Sequence, residues 1–288
     1  MKICIYCNQK FNQLDWQCPH CSKQPKILND FLAFAPELAQ ESEGFEAHYF
    51  DSLAKVEAKN FWFRNRNRLI IWAFSNYFKR ANNFLEIGCG TGFVLSGIER
   101  AFPTLNVYGS EIFTNGLNFA NQRLTKAQLF QMDAQNIPFD QEFDVIGAFD
   151  VIEHIQEDTK VLEQMYKATK TGGGIIITVP QHPWLWSQAD DYAHHVRRYT
   201  ERELKIKIKN AGFKIIRVSS FVSVLLPLMM MSRMLQQKPN AQYNALSELK
   251  ISGGLNATLE MLLNLERKLI ELGLSFPFGG SLLLVAQK

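Results

Sequence analysis

Phe84-Leu85-Glu86-Ile87-Gly88-Cys89-Gly90-Thr91-Gly92 decides the fold of this chain. An apolar run carrying an acid breaks into three alternating glycines and then into a helical pattern. That succession is how an open parallel sheet presents its backbone to a nucleotide-bearing ligand. Residues 84–88 are predicted as a buried strand and 91–101 as a helix, with Leu95, Ile98 and Phe102 on one face. Farther out, residues 105–111 read as a second strand ending in Glu111. An acid at that distance can accept hydrogen bonds from both hydroxyls of a ribose. A dinucleotide dehydrogenase fits equally well up to this point. The next two elements separate the readings. Residues 127–132 end in Asp133-Ala134, suited to an adenine amine and ring, and the buried run 143–149 opens onto Asp150-Val151-Ile152-Glu153-His154.

In order and spacing these motifs resemble those of class I S-adenosylmethionine-dependent methyltransferases. The match covers residues 81–221 and resumes at Ser281. Within that superfamily it is nearest to bacterial small-molecule and lipid-precursor methyltransferases, including the ubiquinone-biosynthesis type. The resemblance implies an α/β fold: a Rossmann-like, seven-stranded, mostly parallel sheet with its last strand antiparallel beside the fifth. It also implies S-adenosylmethionine as cofactor, held by Glu86, Gly88, Cys89, Gly90, Gly92, Glu111, Ile112, Asp133, Ala134 and Phe149. The glycine turn would approach the amino-acid part, Glu111 the ribose and Asp133 the adenine. Cys89 reads as a small packed residue, not a reactive thiol.

The residues support such a sheet independently. Positions 158–170 form an amphipathic pattern closed by Gly172-Gly173-Gly174, and 175–179 is a continuous apolar run, as a central parallel strand requires. Thr200 with Glu203 reads as a capping box opening a helix with Leu204 and Ile208 inward. Segments 213–221 and 281–286 then make a closing hairpin.

Methyl transfer by in-line displacement asks the protein to position two ligands and, for a hydroxyl acceptor, to remove one proton. His154, just past the fourth strand, and His195, in the aromatic and polar segment 181–199, are the candidate bases. His195-Val196-Arg197-Arg198-Tyr199 follows the family pattern more closely than His194 does. Asp150, Glu153 and His154 with a histidine from that segment also form a candidate divalent-cation set.

Cys4-x-x-Cys7 and Cys18-x-x-Cys21 are two knuckles spaced for a tetrahedral zinc site. Four protein ligands leave no open position, so this metal is expected to be structural, and it must supply most of the folding energy of so short a module. We divide the chain into a zinc ribbon at 1–25, a linker and helical extension at 26–80, and a methyltransferase domain at 81–288 with an insertion at about 222–275. Residues 22–44, with Pro25 and Pro36, read as linker, and helical, aromatic character begins at Phe45. Phe61-Trp62-Phe63 with Arg64, Arg66 and Arg68 is read as a helix docking on the main domain, its arginines solvated or facing a carboxylate.

The 288 residues are 47% hydrophobic with a net charge of +3, which excludes disorder and gives nucleic acid no strong field. Met1-Lys2-Ile3 runs straight into Cys4 without an export signal, and five cysteines, an odd number, suit a reducing cytoplasm. The apolar run 221–235 is too short to span a bilayer and carries Pro227 and Arg233. It reads as core or lid, with an interfacial patch at the inner membrane face as the alternative. Leu255, Leu259, Leu262, Leu265, Leu269 and Leu272 mark an amphipathic helix ending at Gly273. The expected function is methylation, at oxygen, of a small-molecule or lipid-linked acceptor. An RNA methyltransferase docking through its ribbon and a non-enzymatic module that kept the fold are the competing classes.

Overall fold

The computed structural model describes residues 1–39, 47–235 and 251–288. The expected start of helical character at Phe45 and the middle of the insertion lie outside the described residues. The ribbon is a small hairpin, β1 (Lys2–Ile3) with β2 (Lys10–Phe11). A second hairpin follows, β3 (Lys26–Leu28) with β4 (Phe31–Ala33), and then helices α1 (Ala47–Val56) and α2 (Phe61–Tyr77). Next come β5 (Asn83–Ile87), α3 (Phe93–Ala101), β6 (Asn106–Glu111), α4 (Thr114–Arg123) and β7 (Gln128–Gln131). The second half holds β8 (Phe143–Phe149), α5 (Asp158–Ala168), β9 (Thr169–Pro180), α6 (Gln188–Tyr192) and α7 (Glu201–Asn210). It closes with β10 (Lys214–Phe221), α8 (Leu226–Leu235), α9 (Gly253–Glu271) and β11 (Ser281–Gln287).

The main sheet runs β10-β11-β9-β8-β5-β6-β7-β4-β3. Strands β7, β6, β5, β8 and β9 are mutually parallel, and β11 lies antiparallel between β9 and β10. The first seven strands of that order form the expected seven-stranded α/β arrangement, and β4 and β3 carry the sheet to nine. Because β5 pairs with β6 on one side and β8 on the other, the chain switches direction there and opens a crevice at the strand ends.

Two stretches differ from the sequence reading. Residues 26–33, expected as linker, extend the sheet: Leu32 and Ala33 pair in parallel with Phe130 and Gln131. The Gln131 amide nitrogen donates to the Ala35 carbonyl at 2.8 Å, locking this edge. Asn29 and Asp30, both left-handed (φ 48° and 69°), make the two-residue turn that such a hairpin demands. The helix expected over 158–170 ends at Ala168, and β9 runs through the glycines. Those glycines do not cap a helix; they let strands close. A Cβ on Gly174 would meet the Ala286 carbonyl at 2.2 Å, and one on Gly173 the Asp144 carbonyl at 2.4 Å.

Side-chain alternation fills both faces, as a parallel sheet requires. Leu85, Ile146, Ile175 and Ile177 pack with Leu162, Met165, Leu204 and Ile208 from α5 and α7. Phe84, Val107, Val145 and Ile176 pack with Ile70, Phe74, Leu95 and Ile98 from α2 and α3, joined by Leu263 and Ile270 of α9. Each such fully buried side chain contributes about 1.5–3 kcal/mol. The leucine stripe expected on α9 is only partly its buried face, with Leu259 and Leu262 packing against the core. Leu255, Leu265 and Leu272 are exposed, while Leu263, Glu266 and Ile270 point inward. Glu266 is tolerated there because the Val224 amide donates to it at 2.8 Å.

On α2, the Asn60 side chain caps the first turn by accepting from the Trp62 amide. Its arginines reach carboxylates: Arg64 and Arg68 pair with Glu260 of α9, and Arg66 with Asp150. The ribbon lies against the far edge of the sheet. Trp16 packs 4.5 Å from Phe34 and 5.4 Å from Phe139, and the Lys10 ammonium meets Asp140 at 2.7 Å. Among the described residues no helix is long and apolar enough to cross a membrane.

Candidate cofactor and acceptor site

The crevice is built where β5 gives way to α3. Gly88, Gly90 and Gly92 all have left-handed backbone, at φ 64°, 51° and 72°. Gly92 is forced: a Cβ there would press on Ala120 of α4 at 3.0 Å. Gly90 is different, since a Cβ would meet only the Phe50 ring, at 3.7 Å, so the space above it is open on the ligand side. The Cys89 thiol is buried beneath the turn, and burial with Glu86 and Glu111 pushes it well above the usual thiol range. It is a packed residue, its amide donating to the Ser110 carbonyl and its carbonyl accepting from the Gly92 amide.

Glu86, at the end of β5, is 2% exposed and its Oε2 has no hydrogen-bond partner. Burial drives its carboxyl well above the usual range, against the pull of Arg66. A buried acceptor left unpaired costs about 1–3 kcal/mol, so a cationic donor brought to it gains correspondingly. The Arg66 guanidinium stacks over the Trp62 ring at 4.6 Å and its buried Nε is likewise unpartnered.

Glu111 turns toward the glycines, its Oε2 accepting from the Gly90 amide at 3.0 Å and its Oε1 from the Ile112 amide at 2.8 Å. Its burial raises the carboxyl pKa, and the three backbone amides around it limit that rise. Asp133 follows β7, with Oδ1 accepting from the Gln135 amide at 2.9 Å and Oδ2 from the Asn136 side chain at 3.0 Å. Ala134 beside it is buried. The Phe149 ring folds back over Gly147 into the core, so it is packed among apolar side chains instead of opening on the crevice. Above the turn, α1 forms a roof. Phe50 reaches Gly90 and Gly116, and Glu57 accepts from the Thr91 hydroxyl at 2.7 Å while pairing with Arg123.

The candidate acceptor side is the region past β8 and β9. Asp150, left-handed at φ 58°, gives its carboxylate to Arg66, so the expected cation set does not assemble as written. Glu153, His154 and His195 do come together, with one donor atom from each within 4.8 Å of the others. Glu153 is fully buried with both oxygens unpartnered, and burial and Asp150 hold its carboxyl well above the usual range. The His154 ring lies edge-on to His195 at 4.7 Å. Burial first, then His195, lowers its pKa to about 3, so it is neutral at pH 7. His195 Nδ1 sits 2.9 Å from Asp190 Oδ1.

Sequence reasoning passed over several residues that the fold brings here. Phe50 of α1 and Glu57 just past it reach the crevice, as does Arg66 of α2, whose carboxylate partner is expected from the sequence but whose place is not, because no local pattern announces where a preceding helix will dock. His182 is buried with Nε2 unpartnered and stacks against Trp184 at 4.9 Å and Phe278 at 5.8 Å. Its left-handed backbone (φ 63°) is strained for a side-chain-bearing residue. Away from the crevice, one sulfur each from Cys4, Cys7, Cys18 and Cys21 lies within 4.8 Å of the rest, a closed set of four that fits a tetrahedral metal.

A methyltransferase-domain family model matches residues 53–218, more than half of the chain. Among curated proteins, a biotin biosynthesis bifunctional protein of Teredinibacter turnerae is 22% identical over 72% of this chain and 40% of its own length. Phosphoethanolamine N-methyltransferase 2 of Caenorhabditis elegans is 30% identical over 49% of this chain and 33% of its own length. The chain thus spans less than half of either relative. Haemonchus contortus phosphoethanolamine N-methyltransferase 2, solved with S-adenosyl-L-methionine, shares the fold with a TM-score of 0.57 at 19% identity, covering 84% of this chain and 57% of that one. A glycine-turn crevice on a sheet of this topology, together with a family match across it, makes this chain a member of the methyltransferase-domain family.

Proposed function

We propose that the chain transfers a methyl group from S-adenosylmethionine to a hydroxyl of a small-molecule or lipid-linked acceptor. The observation that carries this reading is the convergence of His195 and His154 beside the buried Glu153, past the strands that form the glycine crevice. S-adenosylmethionine, when bound, supplies the sulfonium methyl. Glu86 fits its α-ammonium, since Oε2 is a buried acceptor without a donor, and Arg66 fits its carboxylate. Glu111 and Asp133 would hold the ribose and adenine, and Phe50 with α1 would keep water from the turn. His195 would take the acceptor's proton. His154, with a pKa near 3, is a poor proton acceptor and would serve as a neutral wall. The four cysteines would hold a structural zinc, away from the chemistry.

The reading extends to lipid-linked acceptors because an apolar rim faces solvent beside this side of the site. Trp184 and Phe278 are exposed, as are Leu228, Met230 and Met231 of α8. RNA is disfavoured, because Arg64 and Arg68 of α2 are paired with Glu260 and Arg66 turns inward to Asp150 and the cofactor crevice.

Two measurements test the proposal. Calorimetry should show S-adenosylhomocysteine binding, and metabolite extracts incubated with isotopically labelled methyl donor should yield labelled O-methyl products. Absence of binding would refute methyl transfer, and labelled amines alone would refute the hydroxyl. If the rim admits lipid-tailed acceptors, the protein should co-sediment with anionic liposomes, and L228D/M230D should abolish this.

A further inference from the structure

Asp190 is 1% exposed and held from several directions. Its Oδ2 accepts from the Ser187 amide at 2.9 Å and the Ser187 hydroxyl at 3.2 Å, closing the capping box that starts α6. Its Oδ1 accepts from Arg198 Nε at 2.7 Å, and Arg198 is fixed in turn by donating to the Gln181 carbonyl at 3.0 Å. The carboxylate is therefore placed without help from His195. Burial pushes its carboxyl up, but His195 and Arg198 outweigh this and hold it below the usual range, so it is ionised at neutral pH. An ionised carboxylate only accepts hydrogen bonds. The 2.9 Å contact with His195 then requires a proton on Nδ1, so that in the neutral ring the lone pair is on Nε2. The His195 amide also donates to the Asp190 carbonyl at 2.9 Å, so ring and backbone are tied to one residue.

We propose that Asp190 is a positioning residue that fixes His195 in its Nδ1–H tautomer and presents Nε2 to the acceptor. This rests on the proposed methyl transfer and narrows its substrate class to hydroxyls that must lose a proton as they attack. The acceptor O–H bond breaks and its proton passes to Nε2, while an oxygen electron pair forms the new C–O bond. The C–S bond breaks with its electron pair remaining on sulfur. The imidazolium so formed is stabilised by the adjacent carboxylate and later releases its proton to water. A neutral amine attacks through its own lone pair and needs no such arrangement.

The test uses full-length protein labelled with ¹⁵N-histidine and saturated with S-adenosylhomocysteine. His195 is identified among the six histidines by the signal lost in H195Q. Wild type should show His195 protonated at Nδ1. In D190N the amide can donate to Nδ1, and the ring should switch to the Nε2–H form. With the labelled-methyl assay, kcat should fall about 10²–10⁴-fold in D190N while KM and S-adenosylhomocysteine affinity hold, and D190E should recover part of the loss. H195Q and D190N/H195Q should be equally slow, because the two residues act as one unit. An Nε2–H tautomer in wild type, an unswitched ring in D190N, or additive losses in the double variant would overturn the proposal. Failure of wild type to bind S-adenosylhomocysteine would instead remove the methyl-transfer reading and leave the tautomer result standing by itself.

Discussion

Glu86 and His154 are both buried, and burial moves their pKa values in opposite directions, up for the carboxyl and down for the imidazole, with different consequences. Glu86 keeps an unpaired oxygen that only a ligand can satisfy. Replacing it with alanine should leave folding intact and weaken S-adenosylhomocysteine by roughly 10- to 100-fold, the worth of a charge-assisted hydrogen bond, as read by calorimetry. His154 makes itself felt through stability. Its folded pKa of about 3 lies below the value of 6.5 that it takes when unfolded, so between these values only the unfolded chain takes the proton. Its contribution is neutral above that window and grows unfavourable as pH falls through it. The slope is up to about 1.4 kcal/mol per pH unit. Urea unfolding at pH 7, 6 and 5 should therefore show H154Q losing less stability on acidification than wild type. The sequence displayed both residue types in recognisable settings. It could not display their burial, which depends on helices arriving from elsewhere in the chain.

Among the elements, α9 shows how a pattern can be read correctly as helical while the stripe it marks is only partly the buried face. Glu266 points inward on this helix, although an acid ordinarily argues for solvent. The amide of Val224 reverses that argument by satisfying the carboxylate. A direct comparison follows: Leu263→Ala should cost about 2–4 kcal/mol, whereas Leu265→Ala on the same helix should cost less than about 0.5 kcal/mol, measured by denaturant unfolding. The glycine turn was legible because its acid, its glycines and its helix are neighbours in sequence. The β3–β4 hairpin was not, since what makes it a strand pair is β7, far along the chain. Its Asn29-Asp30 turn was the local signal that could have revealed it.

Across the whole molecule, the ribbon and the expected adenine loop share one support. Residues 133–140 leave β7, carry Asp133 and Ala134, and then meet the ribbon at Pro138, Phe139 and Asp140. Ile5 and Trp16 pack against the cluster that contains Met132, Ala134 and Ile137. Removing metal from the four cysteines should unfold the ribbon and withdraw that packing. Loss of about 2 kcal/mol from the aromatic dock should lower Tm by about 4–8 °C in a thermal melt with chelator, and C18S should reproduce the shift. An unchanged melt would mean that the ribbon stands apart from the sheet energetically.

The position of Trp16 also bears on how the chain is made. A ribosome releases this indole long before Phe130 and Phe139 exist, so for much of synthesis it has Phe11 and Phe34 to pack on but lacks the rest of its seat. Only when the residues leading into the eighth strand emerge can the indole complete that seat, so the docking of the cysteine hairpin waits on a segment made much later.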